Sequence, residues 1–379
     1  WLLAVYGYGT GQTKIGRTLE SGCAMESMER MKAFYHGKRV LVTGHTGFKG
    51  AWLCRWLLDM GAKVWGYALP PEPERLYELL SWDGLVSCQA DLRDVNTLAD
   101  VVQQAAPQIV FHLAAQPLVA EGYQHPVETY DINVMGTVHL LDCLRKTEAL
   151  RSVVVVTTDK VYANQEQTAG YEETAPLDGY DPYANSKSCQ ELVAGCWARC
   201  FFAKRAALST LRAGNVIGGG DFAKHRILPD CIRAALAGTP ILLRHPHGIR
   251  PYQHVLEPLS AYLWTAWKQW EEPTLAGCYN VAPRTDGIVT NGALATIFCR
   301  CWGDDSRWQA EERPDFPKET AVLRLNGVHI CQKLGWSPRW NVERAVEETV
   351  AWTKIWQQQG DILEEMRREI AAYEKGEEQ

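Results

Sequence analysis

The chain lacks several features at once, and each absence narrows what it can be. No apolar run approaches the roughly 20 residues that a membrane-spanning helix needs, so an integral helical membrane protein is excluded. There is no excess of positive charge. The 39 Lys and Arg face 45 Asp and Glu, a net of −6, which removes the electrostatic case for nucleic-acid binding. The 12 cysteines lack metal-site spacing. Cys196/Cys200 and Cys299/Cys301 are the close pairs, and neither has a second pair to complete a zinc site. Scattered thiols of this kind read as reduced, the pattern of a cytoplasmic protein. No metal is expected.

The first 31 residues lack pattern altogether. The brief apolar run Trp1 to Tyr6 has no basic flank, so it is a poor signal peptide. Residues 1–31 are expected to be a disordered or artefactual extension, with Met28 or Met31 as the natural start.

What is present is a chain of 379 residues that is 46% hydrophobic, enough for one large or two moderate domains with a full core. It is organised around Val40-Leu41-Val42-Thr43-Gly44-His45-Thr46-Gly47-Phe48-Lys49-Gly50. An apolar strand runs into glycines spaced by three, and Ala51 to Leu58 behind them reads as a helix. This strand–turn–helix setting is what a dinucleotide fingerprint needs. Gly44 makes the tight turn, Gly47 lets backbone N–H groups approach a pyrophosphate, and Gly50 lets the helix pack close. The helix N-terminus then faces the anion.

Further strands are expected at Ala62–Ala68, Leu85–Gln89, Gln108–Pro117, Arg151–Thr157 and Ala206–Arg212. Helices lie between them, one of them long, over Pro126–Leu144. Alternation of this kind predicts an α/β fold, a Rossmann-type doubly wound parallel sheet. The second strand ends without an acid to bond a ribose and without an Arg to hold a 2′-phosphate, which favours NAD over NADP. Asp91 either caps the next helix or bonds an adenine. Beyond Arg212 the pattern loosens. Asn215 to Asp221 reads as a flexible loop. The expected division is a cofactor domain over 32–213, a smaller mixed α/β substrate domain over 214–360 with some interleaving, and an exposed helix or frayed tail over 361–379.

The chemistry follows the fifth strand. Thr157-Thr158-Asp159-Lys160 ends it with hydroxyl, carboxylate and amine in succession, at the sheet edge where ligands bind. Asp181-Pro182-Tyr183-Ala184-Asn185-Ser186-Lys187 opens a helix that carries Tyr183 and Lys187 on one face. An ammonium near the phenol lowers its pKa and makes a base that can take a hydroxyl proton. The segment Arg244 to His254 is rich in imidazole and guanidinium. Phosphate contact by Arg250 fits it better than a metal.

Together these segments resemble the extended short-chain dehydrogenase/reductases, and within them the nucleotide-sugar 4,6-dehydratases. The carriers are Val42 to Gly50, Thr158-Asp159-Lys160-Val161-Tyr162, Tyr183 to Lys187, and His247-Gly248-Ile249-Arg250-Pro251-Tyr252-Gln253-His254-Val255-Leu256-Glu257-Pro258-Leu259. The likeness runs from about Met31 to about Trp356. The last carrier, with the His45 to Gly50 turn, points to the group that takes CDP-glucose.

The resemblance implies a bound NAD that is not consumed. Its contacts would be Gly44, Thr46, Gly47, Phe48, Lys49, Asp91, Leu92, Leu113, Ala114, Ala115, Tyr183 and Lys187. It implies Tyr183, helped by Lys187 and Thr158, as the base at carbon 4, Asp159 as the acid at carbon 6, and a second base at carbon 5. Lys160 stands where other nucleotide-sugar dehydratases carry Glu. It is either that base or a group that stabilises the enolate. Implied substrate contacts are Gln116, Asn133, Arg212, Asn215, Arg250 and His254. A homodimer or homotetramer is implied, as is a product that leads to the dideoxyhexoses of bacterial O-antigen lipopolysaccharide. Three other readings remain: a dehydratase of UDP-N-acetylglucosamine, a 4-epimerase, which would not need the acid at Asp159, and a non-catalytic NAD-binding regulator.

Overall fold

Short apolar runs that alternate with helices become the parallel strands of one sheet. The computed structural model describes residues 27–71, 75–167, 169–303, 306–311 and 321–376. The sheet uses β1 (Arg39–Thr43), β2 (Lys63–Ala68), β3 (Leu85–Gln89), β4 (Ile109–His112), β5 (Ser152–Thr158) and β6 (Ala207–Ala213). With β10 (Cys278–Val281) its order is β10-β6-β5-β4-β1-β2-β3, every pair parallel. The order reverses between β1 and β4, so a crevice opens beyond their carboxyl ends. β4 is shorter than expected, because residues 113–117 leave the sheet.

Helices cover both faces. One layer holds α1 (residues 27–35), α2 (Phe48–Asp59) and α9 (Leu256–Glu271), and the other α3 (Val95–Ala105), α6 (Gly136–Leu144) and α7 (Pro182–Trp197). The run from Pro126 to Leu144 is one helix, as expected, preceded by the short α4 (Val119–Gln124). It is built of α5 (Pro126–Tyr130), a wide π-type turn over Asp131–Met135, and α6. Such a turn inserts one residue into the helical ladder and re-aims the side chains on it.

A second region adds small sheets. β7 (Asn215–Ile217) pairs parallel with β9 (Ile249–His254), which pairs antiparallel with β11 (Ile288–Thr290). β8 (Ile241–Leu243) pairs with β12 (Trp308–Ala310). They pack with α8 (Ile227–Leu236), α10 (Asn291–Trp302) and α12 (Val342–Gln357). Between them run α11 (Val328–Leu334) and, at the end, α13 (Ile362–Lys375). No helix among the described residues is long and apolar enough to cross a membrane.

The two regions interleave, since α9 and β10 complete the first sheet and its core. Three expectations change. Residues 27–31 are not part of a disordered extension: they begin α1, whose Met28, Met31 and Tyr35 are buried. Residues 1–26 lie outside the described residues. Asn215–Asp221 is not a flexible loop but β7 followed by a buried turn. A Cβ on Gly219 would lie 2.0 Å from the Trp352 ring, so these glycines give close packing rather than freedom. Finally, α13 is not an exposed tail. Ile362, Met366, Ile370 and Tyr373, spaced by four, four and three, enter the main core. The many charges around them hid this stripe.

The carboxylate of Glu257 on α9 ties the C-terminal segment down. It accepts from Arg339 N–H at 2.9 Å, Trp340 N–H at 2.6 Å and the Tyr373 hydroxyl at 2.8 Å. Burial pushes its pKa up to about 7 from 4.5, against those three bonds. The folded state therefore holds this proton more tightly than the unfolded chain. The resulting stability is present below about pH 4.5 and lost as pH rises through about 7, by about 3 kcal/mol at most. Chemical denaturation at pH 5 and pH 8 should show that Glu257→Gln removes this part of the pH dependence. An unchanged slope would contradict the assignment.

Candidate active site

The site is built on the carboxyl edge of β1, β4 and β5. Gly44 has φ +77°, and a Cβ there would lie 2.7 Å from Ala114 N. A Cβ on Gly50 would lie 2.0 Å from Gly44 O. Both glycines are therefore demanded by the protein itself. Gly47 is different: it is exposed, and the only atom near its missing Cβ is Gly44 O at 3.4 Å. No side chain caps α2 and no acid stands in its first turn. An open glycine at an uncapped helix start fits a pyrophosphate. Leu113, Ala114 and Ala115 are half-buried beside this turn, and Thr46 holds it by donating to Leu69 O at 2.9 Å. Leu92 packs against Gly136. Asp91 caps no helix: Asp94 caps α3, and Asp91 accepts from the backbone N–H and guanidinium of Arg93, which hold its carboxyl below the usual range.

At the end of β5 the chain makes a single 3₁₀ turn over Asp159–Val161, with Thr158 as its cap. Asp159 is fully buried. Its Oδ1 accepts from the Thr158 hydroxyl at 3.0 Å and from Lys160 Nζ at 3.0 Å, while Oδ2 has no partner. Asp181 caps α7 by accepting from Ala184 N–H, with Pro182 in the first turn, and this presents Tyr183 to Thr158. The Thr158 hydroxyl lies beside the phenol and favours its ionised form. Burial raises the Tyr183 pKa, and the charges of Lys160 and then Arg226 oppose that rise. The sequence reading gave this role to Lys187. In the structure Lys187 donates to Gln190 Oε1 at 2.8 Å and to Val156 O at 3.3 Å. Burial, with the charge of Lys49, lowers the Lys187 pKa to about 7. Burial and Arg226 lower that of Lys49 to about 8, against Asp159 and Asp221. Four cations thus crowd two carboxylates, an arrangement that attracts an anionic ligand.

Several expected substrate residues lie elsewhere. Arg212 is buried in an ion pair with Glu191 at 2.8 Å and donates to the Tyr162 hydroxyl at 2.8 Å. It is part of the sheet–helix packing, not a ligand contact. His254 is fully buried between Trp52 and Trp340, 3.3 Å from Glu369 on α13. It was misassigned because α13 was taken to be exposed. Asn133, also fully buried, accepts from Gln116 N–H and donates to Gln116 O and Ser186 Oγ. The Gln116 side chain bridges Thr129 and Leu118. These two amides clamp the loop after β4 to α5–α6 and α7. Asn215 is half-buried on β7, opposite Tyr252. Arg250, on β9, donates to Ile249 O at 2.9 Å.

Two groups of site residues went unseen in the sequence. Arg226 and Asp221, 3.6 Å apart, act on Lys49 and Tyr183 from the loop before α8 and carry no motif. Thr43, His112, Thr137 and Gln190 form a buried chain of hydrogen bonds behind Lys187. Their only sequence trace is that polar residues interrupt apolar segments. Glu348, Glu365 and Glu369 also converge. Arg344 and Arg368 already pair with Glu348, and Arg368 with Glu365, while burial pushes the Glu369 carboxyl towards its neutral form, so this cluster balances its own charge.

Residues 41–349 match the model of the GDP-mannose 4,6 dehydratase family. A CDP-glucose 4,6-dehydratase of Salmonella typhimurium is 42% identical over 90% of this chain and 98% of that protein. Among solved structures, a dTDP-glucose 4,6-dehydratase of Streptomyces venezuelae with NAD and TYD bound superposes with TM-score 0.71 at 23% identity, over 86% of this chain and 99% of that one. One from Bacillus anthracis in complex with NAD gives 0.70 at 21%, over 86% and 99%. These two show the shared fold.

The glycines can be told apart by experiment. Gly47→Ala should melt like the parent protein yet lose at least tenfold in NAD affinity by calorimetry, while Gly50→Ala should fold poorly. Parental NAD affinity in Gly47→Ala would contradict the role given to that position.

Proposed function

The chain belongs to the GDP-mannose 4,6 dehydratase family, and from that membership we propose that it removes water from CDP-glucose, giving CDP-4-keto-6-deoxyglucose with the help of bound NAD. The supporting observation is the 42% identity to a CDP-glucose 4,6-dehydratase along nearly its whole length. It is joined by the ion pair of Lys160 with the buried Asp159 beside Tyr183, which an epimerase does not need.

NAD would rest on the turn Gly44–Lys49 and along Leu113–Ala115, and when bound it supplies the acceptor and donor of hydride. The chain's own residues handle protons. Tyr183 takes the hydroxyl proton at carbon 4. The ketone formed there acidifies the proton at carbon 5. Lys160 takes that proton while Asp159 protonates the hydroxyl that leaves carbon 6 as water. The pair holds the right number of protons for both tasks. Moving one from Lys160 Nζ to the Asp159 carboxylate, whose Oδ1 is 3.0 Å away, yields a neutral amine and a carboxylic acid together, with the acid hydrogen on Oδ2. Asp159 Oδ2, buried and without a partner, is the face left for the departing hydroxyl. Arg250 and Asn215 are assigned to the nucleotide diphosphate side.

The same reading makes the protein a cytoplasmic homo-oligomer, a dimer or tetramer. Val127, Leu192, Tyr123 and Met135 are exposed on the outer helices α4 to α7 and their π-type turn, and they supply an apolar face for assembly.

Purified protein should convert CDP-glucose to a product lighter by one water in mass spectrometry, and leave UDP-N-acetylglucosamine, UDP-glucose and dTDP-glucose unchanged. Water loss from another donor instead would overturn the substrate. Epimerisation without water loss would overturn the reaction.

A further inference from the structure

Behind Lys187 lies a chain of four buried side chains whose hydrogen bonds each have one direction. At one end the Thr43 hydroxyl accepts from Ala114 N–H at 3.2 Å, so its own hydrogen goes to His112 Nδ1 at 2.7 Å. At the other end the Thr137 hydroxyl donates to Asn133 O at 2.7 Å. Thr137 Oγ1 must then accept from both remaining neighbours, His112 Nε2 at 2.9 Å and Gln190 Nε2 at 2.7 Å. His112 is accordingly the neutral Nε2–H tautomer. Burial and the Lys187 charge agree, lowering its pKa to about 3. With its amide nitrogen committed to Thr137, Gln190 presents its carbonyl to Lys187 Nζ at 2.8 Å. Two backbone groups, Ala114 N–H and Asn133 C=O, fix the polarity of the whole chain.

We infer that Gln190 is the positioning residue of Lys187, held in one orientation by Thr137 and His112, and that its carbonyl keeps Lys187 in the charged form. The need for such a partner is visible in what else faces Lys187. Burial and Lys49 disfavour its charge, and Glu191 alone among the charged groups supports it. His112 is neutral. An amide turned the other way would set an NH₂ group against the ammonium. Because the chain begins at Thr43, the residue before Gly44, it also links the lysine to the glycine turn. The inference does not rest on the proposed function. It concerns the lysine itself and is read without substrate.

The test follows Lys187 in ligand-free protein carrying isotope-labelled lysine, by NMR titration of its side-chain carbon, assigned through Lys187→Arg. Gln190→Leu removes the acceptor and should lower the Lys187 midpoint by about one pH unit or more. Gln190→Glu supplies a negative charge and should raise it by a similar amount. Opposite shifts in two variants with intact folds by circular dichroism support the inference, because a purely structural role gives no such sign change. Parental midpoints in both variants, or shifts of one sign, would overturn it. His112→Gln should give a smaller downward shift than Gln190→Leu. A failed water-loss assay with opposite shifts would overturn the substrate reading and leave this inference standing.

Discussion

The site depends on one close approach, that of the turn after β1 to the chain leaving β4. Only a glycine at 44 permits it, since a Cβ would meet Ala114 at 2.7 Å. That contact brings Thr43 to Ala114 N–H and His112, starting the chain that ends at Lys187. It also leaves Gly47 and the start of α2 open. The ligand-facing edge of the sheet and the orientation of a lysine on α7 thus follow from the same backbone contact.

Electrostatics then decide what the opening can hold. Lys49 and Lys187 are each depressed by burial, to about 8 and about 7, and by neighbouring cations. Lys160 spends its charge on Asp159. Any dianionic ligand entering this region favours the charged forms of the lysines, so binding and protonation are linked. Tyr183 shows the same logic in reverse: burial holds its phenol up, and nearby cations are what oppose this.

Much of this was legible in the sequence, and the reasons differ by element. Strands β1, β4 and β5 were readable because parallel strands buried on both faces appear as continuous apolar runs, and β2, β3 and β6 by their alternation with helices. The glycine turn, the Thr158–Lys160 end and the Tyr183/Lys187 helix were readable because their spacing carries mechanism. The strand β10 was not, being four residues long and far along the chain. Arg212 and His254 were placed at the substrate by the resemblance. Whether a polar side chain faces a ligand or a buried partner such as Glu191 or Glu369 is decided by tertiary packing, and no local pattern reports it. The stripe of α13 was hidden by its charges for the same reason.

The central claim is that Asp159 and Lys160 divide acid and base between them across one hydrogen bond. The most direct measurement is deuterium incorporation at carbon 5 of CDP-glucose incubated in heavy water with Lys160→Ala and with Asp159→Asn. The account expects both variants to lose wash-in at carbon 5, Lys160→Ala because the base is gone and Asp159→Asn because no carboxylate is left to take the Lys160 proton. Wash-in at the parental rate in Lys160→Ala would contradict it and assign the carbon 5 proton to another group.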